Sequence, residues 1–209
     1  MHVNNYFDAV FLINLKRRPD RLVKSINEFY RHQIEAEFIE AIDGEELNLP
    51  EIISLDGLKA SKGDIGCALS HAKVCRIAKE RGLKNYLVFE DDIELAENFN
   101  ERFEEYIEQL PSDWDMIYLG GSHNGEIVPV TDNIVRGTKI FTTHAIGIRE
   151  TMYDALIGVW EKKNEKVDVA VSKLQGKFKC YAFNPFIAGQ RPSHSDILNK
   201  FTDYKHLRV

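Results

Sequence analysis

The sequence has little of what marks secreted, disulfide-stabilised or membrane-spanning proteins. Its 209 residues include three cysteines, Cys67, Cys75 and Cys180, and none of them lies in a CxxC pair. An odd, low number of cysteines without metal-type spacing is typical of structural thiols in a reducing compartment. No apolar run approaches the roughly 20 residues that a membrane-spanning helix needs. The first residues show no basic segment followed by a hydrophobic one, which a secretory signal would require. We therefore expect a cytoplasmic protein.

The chain also lacks the excess of positive charge that binding to nucleic acid requires. Its net charge is −6, so we predict no nucleic-acid partner, and an anionic ligand would need a local group of cations or a metal ion. The length and the hydrophobic content of 44% are sufficient for a sizeable core. We predict a single domain over residues 1–209, in which the polar segment 190–209 is a mobile tail.

Hydrophobic periodicity predicts strands that alternate with helices. The predicted strands cover 8–15, 37–42, 86–90, 115–119, 140–148 and 178–183, and the predicted helices begin at Pro19, at the capping-box-like pair Ser61 and Asp64, and at residues 99, 151 and 167. Residues 47–62 are expected to be largely irregular, and residues 122–139 to be turn-rich with room for a hairpin. This order favours an α/β fold with a mostly parallel open sheet flanked by helices.

Three consecutive acids, Glu90, Asp91 and Asp92, follow the apolar run at 86–89. Neighbouring carboxylates repel one another and are costly to bury, so a fold tolerates them at a strand end if a cation lies there. Mg²⁺ and Mn²⁺ take carboxylate oxygens together with substrate phosphates, and ligands bind at the carboxyl ends of strands in open α/β sheets. The motif therefore predicts a metal–diphosphate site. A solvated acidic turn is the alternative.

A basic cluster follows the first predicted strand and comprises Lys16, Arg17, Arg18 and Arg21. A loop that leads into a helix can hold phosphate through its backbone N–H groups, and arginines add bidentate contacts. The segment has none of the glycines of the dinucleotide-binding or P-loop motifs. Arg18 and Arg21 are candidates for contacting a diphosphate, and a solvated basic turn is the alternative.

Small and polar residues begin the third predicted helix. Gly63 and Gly66 allow a ligand or another backbone to come close, and Ser70 and His71, about one turn further on, could donate hydrogen bonds. A histidine in this position is also compatible with a purely structural role.

Taken together, these motifs resemble glycosyltransferase family 25, which includes lipopolysaccharide-type glycosyltransferases and collagen galactosyltransferases. The matching segments are, in family order, 11–15 (FLINL) with 18–21 (RPDR), 41–44 (AIDG), 63–71 (GDIGCALSH), 88–92 (VFEDD), 114–120 (WDMIYLG), 167–168 (VD) and 190 with 195–197. Each segment is weak alone, whereas the ordered set covers most of the chain. Position 64 is Asp where the family often has Glu, and the short chain is more similar to compact bacterial or viral members than to the longer collagen-type ones.

The resemblance implies a GT-A-like fold and an inverting transfer of a hexose, typically galactose from UDP-galactose, that depends on Mn²⁺ or Mg²⁺. The acceptor would be a hydroxyl of a saccharide such as lipopolysaccharide or lipooligosaccharide, and a lipid-linked acceptor would bring the protein into peripheral contact with a membrane. The residues implied in donor binding are Ile13, Asn14, Leu15, Arg18, Arg21, Asp43, Ser70, Glu90 and Asp91.

An inverting displacement needs a base for the acceptor hydroxyl. Asp168, at the start of a predicted helix, is our candidate, with a helix-capping role as the alternative. Asp92, Glu90 and His194 are the candidate metal ligands, because imidazole suits Mn²⁺-type sites. A solvated loop position is the alternative for His194, and His144 is a weaker substitute for it.

Three other functions are compatible with the same residues. They are a hydroxylysine-directed, collagen-like transferase with a protein-linked acceptor, a catalytically silent sugar-nucleotide-binding module, and a metal-dependent phosphoryl-transfer or hydrolytic enzyme, because acids at a strand end also serve such enzymes.

Overall fold

A large mixed β-sheet forms the centre of the computed structural model, which describes residues 1–50, 52–55 and 58–209. The strands are β1 (Val10–Asn14), β2 (Glu37–Glu40), β3 (Ile52–Leu55), β4 (Leu58–Ser61), β5 (Asn85–Glu90), β6 (Ile93–Leu95), β7 (Met116–Tyr118), β8 (Ser122–His123), β9 (Val128–Pro129), β10 (Ile134–Arg136), β11 (Ile140–Phe141), β12 (Ala145–Arg149), β13 (Cys180–Phe183), β14 (Ala188–Gln190), β15 (Ser193–Ser195) and β16 (Lys200–Thr202). The helices are α1 (Val3–Tyr6), α2 (Pro19–Arg31), α3 (Lys62–Glu80), α4 (Phe99–Ile107), α5 (Tyr153–Trp160) and α6 (Val167–Ser172), with short 3-10 turns at Gly44–Glu46, Glu150–Met152 and Lys205–Leu207.

The central sheet has the strand order β2-β1-β5-β12-β7-β13-β10-β9. Strand β1 pairs in parallel with both β2 and β5, and β7 pairs in parallel with β13. Strand β12 is antiparallel to both of its neighbours, and β10 is antiparallel to β13 and β9. The predicted α/β class is confirmed, but the prediction of a mostly parallel sheet needs correction, because β10 and β12 reverse direction within it.

Successive side chains along the strands point to opposite faces of the sheet, and a hydrophobic cluster lies on each face. Phe11 and Val88 point to the cluster that packs under α3, α5 and α6, whereas Leu12 and Phe89 point to the cluster formed with α2 and α4. This alternation is the period of two that a strand imposes. Helices therefore cover both faces of the sheet and leave its strand ends open.

Helix α3 begins and ends as its sequence predicts. Ser61 Oγ accepts a hydrogen bond from Asp64 N at 3.1 Å, and Asp64 Oδ2 accepts one from Ser61 N at 2.8 Å, which completes a capping box. Gly82 adopts the left-handed conformation just after the helix, with φ of +68°. None of the helices among the described residues is long and apolar enough to cross a bilayer.

Two predicted elements differ from the structure. Residues 140–148 do not form one strand but two, β11 and β12, separated at Thr142, whose φ is +69°. The 47–62 region contains the β3–β4 hairpin, although part of that prediction lies outside the described residues. The turn-rich 122–139 region contains the β9–β10 hairpin, in agreement with the hairpin that its sequence allows.

The segment 190–209, whose mobility stays a prediction, contains paired strands. Strand β14 pairs with β6, and β15 pairs with β16. Leu207 is buried, with its carbonyl packed against Gly189 so closely that a Cβ on that glycine would lie 2.1 Å from it. The segment folds back over the carboxyl ends of β1 and β5.

Candidate active site

A cleft lies at the carboxyl ends of β1, β2 and β5, where the loops after these strands meet α3 and the segment 190–209. Parallel strands with ends at one edge of a sheet commonly create such a ligand-binding crevice. The predicted site residues that line this cleft are Ile13, Asn14, Leu15, Arg21, Asp43, Ser70, Glu90, Asp91 and Asp92. Residues that are about 80 positions apart in the sequence are therefore brought together by the sheet.

A buried arginine supplies the positive charge beside the three acids. Arg21, in the first turn of α2, donates from Nη1 to Asp91 Oδ1 at 2.6 Å, and its Nη2 lies 3.6 Å from Asp92 Oδ2. The same Nη2 donates to Ser193 Oγ at 2.7 Å. Arg21 thus connects the acids to the segment 190–209.

The backbone around the acids is also fixed by hydrogen bonds. The carbonyl oxygen of Asp91 accepts hydrogen bonds from Ser25 Oγ and from Arg191 Nη2, both at 2.8 Å. Gln190 Nε2 donates to Asp92 Oδ1 at 3.1 Å. These contacts hold the acidic turn rigidly, which preorganises its carboxylates for a ligand.

Glu90 has a separate set of partners on the other side of the cleft. Its Oε1 lies 3.0 Å from His71 Nε2 and accepts a hydrogen bond from Thr143 Oγ1 at 2.8 Å. Thr143 reaches this position because the chain breaks between β11 and β12. Sequence reasoning missed Thr143, since the break depends on a hydrogen bond from Thr142 N to Asp168, which is distant in sequence.

Burial sets the protonation of the acids. The pKa of Asp91 is raised to about 7, chiefly by burial, with an opposing effect from Arg21 and a smaller increase from the charge of Asp92. Burial also raises the pKa of Asp92, against the opposing effect of Arg21 and with a further increase from Glu90. Burial acts in the same direction on Glu90, but its hydrogen bonds to His71 and Thr143 outweigh it and lower the pKa. The positive charge near the carboxyl groups of Asp91 and Asp92 is therefore too little to offset the effect of their burial.

Two predicted ligand-binding side chains are already engaged with the protein. Ser70 Oγ donates to the Gly66 carbonyl at 2.7 Å and accepts from Ile42 N at 2.8 Å, so its hydroxyl ties α3 to the loop after β2. Asp43 begins the 3-10 turn by accepting from Glu45 N, and it pairs with Arg17 Nε at 2.5 Å. Both residues shape the wall of the cleft.

The structure does not bring Arg18 and His194 to the acids. Arg18 pairs with Asp20 and with Asp196 in an adjoining pocket, which His194 also lines. The His194 side chain is exposed, because alternation along β15 turns Ser193 and Ser195 inward and His194 outward. Its backbone carbonyl alone faces the site, where it accepts from Arg21 Nη2 at 3.1 Å. A His194 ligand to a metal at Glu90 and Asp92 does not fit this arrangement.

Asp168 lies at the start of α6, on the side of the cleft where Thr143 contacts Glu90. Its Oδ2 accepts from Thr142 N at 3.2 Å and its Oδ1 accepts from Val169 N at 2.8 Å. Lys166, and not Asp168, is the N-cap of the helix. His144, the weaker metal candidate, is completely buried and hydrogen-bonds through Nε2 to the Ala188 carbonyl at 3.2 Å, while burial lowers its pKa.

Comparison with known families identifies the chain. The family described as "Glycosyltransferase family 25 (LPS biosynthesis protein)" matches residues 7–171, which is most of the sequence. The chain belongs to glycosyltransferase family 25. The matched region includes β1, α2, α3, β5 and Asp168, so the sequence-based resemblance is confirmed.

Family 25 relatives include proteins with and without a named activity. The chain is 33% identical over 146 residues to "Probable inactive glycosyltransferase 25 family member 3" of Bos taurus, a match that covers 63% of this chain and 24% of that protein. It is 34% identical over 129 residues to "Procollagen galactosyltransferase 2" of Homo sapiens, covering 54% of this chain and 21% of that protein. The chain thus matches less than a quarter of the length of either relative.

Among solved structures, this family 25 protein is similar to a glycosyltransferase involved in the glycosylation of the major capsid of PBCV-1. The TM-score is 0.46 at 12% sequence identity, and the match covers 75% of this chain and 66% of the solved one.

The donor set of the cleft fits the hard divalent cation that the family implies. Glu90 and Asp92 offer carboxylate oxygens, and Asp92 is buried with a raised pKa despite the nearby Arg21. Such carboxylate oxygens suit Mg²⁺ or Mn²⁺, whereas Asp91 is occupied by its ion pair with Arg21. The amide oxygen of Asn14 is buried and has no hydrogen-bond partner among the described residues, which leaves it able to accept a hydrogen bond from a bound ligand.

Proposed function

We propose that this chain is a metal-dependent, inverting glycosyltransferase that transfers a hexose, most simply galactose, from a UDP-sugar to a hydroxyl of a saccharide acceptor. The observation that carries the proposal is the cleft itself. It combines the carboxylates of half-buried Glu90 and buried Asp92 with the guanidinium of Arg21, at the strand ends where α/β folds bind nucleotides. Family membership supports the general class of activity.

Different residues of the cleft would contact different parts of the donor. Asn14 and its neighbours on β1 would contact the nucleotide, and the free oxygen of Asn14 offers an acceptor for a donor group of the ligand. Glu90 and Asp92 would hold the cation, which supplies Lewis-acid stabilisation of the charge on the departing diphosphate. Arg21 fixes Asp91 and the acidic turn, so the carboxylates need no rearrangement during the reaction.

The acceptor hydroxyl must lose its proton as its oxygen attacks the anomeric carbon. Asp168 remains our proposed base for that proton. It lies at the start of α6, outside the lining of the cleft that holds the acids, and Thr142 N orients one oxygen of its carboxylate. The name of the human relative, procollagen galactosyltransferase 2, supports the alternative of a collagen-like protein acceptor. The cytoplasmic location stays a prediction.

The decisive experiment is a screen of nucleotide sugars for metal-dependent binding, slow hydrolysis and transfer, carried out with wild-type protein and with Asp92→Asn. We expect the substitution to reduce turnover at least about 100-fold, the scale for removing a charge-stabilising group, while circular dichroism shows an unchanged fold. Asp132→Asn is the matched control, because Asp132 is exposed and lies outside the cleft.

Equal turnover by wild-type and Asp92→Asn would contradict the proposal. Release of inorganic phosphate in place of an intact nucleoside diphosphate would indicate phosphoryl transfer or hydrolysis instead.

A catalytically silent sugar-nucleotide-binding module is the second candidate. The bovine relative with 33% identity is named as probably inactive, and one of the three acids is occupied by the ion pair with Arg21. Calorimetric binding of a UDP-sugar without hydrolysis or transfer, over a panel of saccharide and hydroxylysine acceptors, would favour this candidate.

A further inference from the structure

A second group of potential ligands adjoins the acidic turn and includes a sulfur atom. Cys67 and His71 are four residues apart on α3, so their side chains lie on one face of the helix. That face meets the end of β5 at Glu90. One ligand atom from each of these three residues lies within 4.8 Å of the other two.

The chemistry of this group differs from that of the carboxylate pair Glu90 and Asp92. A thiolate, an imidazole and a carboxylate form a donor set typical of Zn²⁺ and Co²⁺, whereas Mg²⁺ and Ca²⁺ prefer oxygen ligands throughout. Three protein ligands with an open fourth position are the usual composition of a zinc site that also binds a small molecule. The identity of the donors therefore selects a softer cation than the proposed function requires.

The side chains around the group support ligation. His71 is buried, and its Nδ1 has no hydrogen-bond partner among the described residues. The Trp160 ring packs against the imidazole, with 5.5 Å between ring centroids, and limits its rotation. Thr143 orients Glu90 from outside the group through a hydrogen bond of 2.8 Å, the kind of contact that holds metal ligands in place.

The group is accessible from the cleft. Cys67, His71 and Glu90 all line it, so an ion has a path of entry and a coordination position open toward the bound ligand. The other two cysteines, Cys75 and Cys180, are completely buried in the core. Cys67 is thus the thiol placed for ligation.

We propose that Cys67, His71 and Glu90 form a binding site for a borderline-soft divalent cation of the Zn²⁺ class. On binding, the Cys67 thiol releases its proton to solvent through the cleft, and the sulfur becomes a thiolate ligand. The inference goes beyond the proposed function, because the site can bind its ion whether or not the chain transfers a sugar. Since Glu90 belongs to both donor sets, the soft cation and the hard cation compete for its carboxylate.

Cobalt is the probe for this site, because Co²⁺ replaces Zn²⁺ and reports on sulfur ligation by its absorption spectrum. The chelator-treated full chain is titrated with Co²⁺, and we expect a saturable thiolate-to-cobalt charge-transfer band in the near ultraviolet. Cys67→Ala should abolish this band, and His71→Gln should weaken Co²⁺ binding by more than about 100-fold, because loss of a direct ligand costs more than loss of a residue that only orients one. Cys75→Ala is the matched control, since Cys75 lies on the same helix and faces the core.

A Co²⁺ spectrum without the sulfur band, or an equal band in Cys67→Ala and Cys75→Ala, would overturn the proposal. Circular dichroism of each variant shows whether it is folded, and Zn²⁺ displacement of Co²⁺ provides a second readout on the wild-type protein. Asp92→Asn separates this inference from the proposed function, because it removes a ligand of the hard cation and should leave the sulfur band in place.

Discussion

Arg21 shows how a single residue resolves the conflict created by three adjacent acids. Three adjacent acids predict a cation nearby. In the structure the guanidinium of Arg21 is such a cation, with Nη1 2.6 Å from Asp91 Oδ1. Ion pairing within the protein and metal binding are therefore not alternatives here. Arg21 pairs with Asp91 without fully offsetting its burial, and the raised pKa of Asp92 leaves a second carboxyl group that a metal ion would stabilise in its charged form.

Arg21→Met should destabilise the protein by about 3–5 kcal/mol, because it leaves a buried carboxylate without its partner. Urea unfolding measures the free energy of unfolding of each variant. Arg76→Met is the control, since Arg76 pairs with Glu161 at the surface, where both side chains are more than a third exposed and solvent screening leaves an ion pair little net effect on stability. Similar losses for the two variants would mean that the buried pair stabilises no more than a surface one.

Asp168→Asn tests the assignment of the base. We expect kcat to fall about 100- to 10,000-fold, the usual range for loss of a general base. The Kd for the donor should stay the same, because Asp168 does not line the cleft with the acids. The measurement combines steady-state kinetics with calorimetric titration of the UDP-sugar. Unchanged kcat would exclude Asp168 as the base.

At the residue level, sequence patterns located the acids and Arg21 but could not assign every partner. The polarity of Ser70 predicted ligand binding, yet its hydroxyl holds α3 to Ile42. His194 was predicted as a metal ligand from its chemistry alone, and only the register of β15 shows that its side chain points to solvent. These outcomes depend on contacts between residues that are distant in sequence.

At the level of elements, α3 determines the shape of the cleft. Its first turns carry Cys67, Ser70 and His71, and they pack directly on the loop after β2. A Cβ on Gly66 would lie 2.7 Å from both Gly44 N and the Ile42 carbonyl oxygen. The sequence predicted close approach of a ligand or a backbone at this glycine, and the structure shows a backbone.

Gly66→Ala should therefore force α3 away from the loop that contains Asp43. We expect a loss of about 1–3 kcal/mol in the free energy of unfolding, the usual cost of overpacking, together with weaker donor binding. Gly158→Ala, in the exposed part of α5, is the control. Nothing lies within 4 Å of its added Cβ, and alanine should stabilise that helix by up to about 1 kcal/mol.

Urea unfolding of both glycine variants, with calorimetric titration of the donor, distinguishes the two effects. Equal stability changes in the same direction would show that Gly66 is not a point of close packing.

The break between β11 and β12 could not be predicted from the local sequence. Residues 140–148 are apolar and β-prone, so local sequence favours one continuous strand. The structure interrupts it at Thr142, which takes a left-handed conformation and donates its N–H to Asp168. That interruption places Thr143 beside Glu90. The departure from local preference thus occurs at the candidate site.

Across the whole molecule, alternating strands and helices were sufficient to predict the α/β class, because each strand has apolar side chains for two faces. The reversed direction of β12 was not predictable from that alternation, since its connection to β7 contains β8–β11 in place of a helix. The polar composition of 190–209 predicted mobility. Backbone pairing of β14 with β6 and burial of Leu207 place the segment against the domain, and its mobility stays a prediction.

The sheet core also determines how the whole molecule responds to alkaline pH. Burial raises the pKa of Cys180 in β13 from 9.0 to about 12, with a smaller contribution from the nearby Asp115 and an opposing one from Arg136. Between these two pKa values the folded chain keeps a proton that the unfolded chain releases. Stability contributed by this thiol is therefore complete below about pH 9 and falls as the pH rises toward 12.

Cys180→Ala removes this titration, while the small cavity that it creates has the same cost at every pH. From about pH 8 to about pH 10, the wild-type protein should lose roughly 1 kcal/mol more stability than the variant, because each pH unit above the unfolded pKa costs about 1.4 kcal/mol per proton. Urea unfolding of both proteins at the two pH values measures this difference, and the shared titration of buried tyrosines such as Tyr86 and Tyr118 cancels in it. If the two stability curves run parallel, Cys180 loses its proton as easily in the folded chain as in the unfolded one, which would contradict its complete burial between the strands.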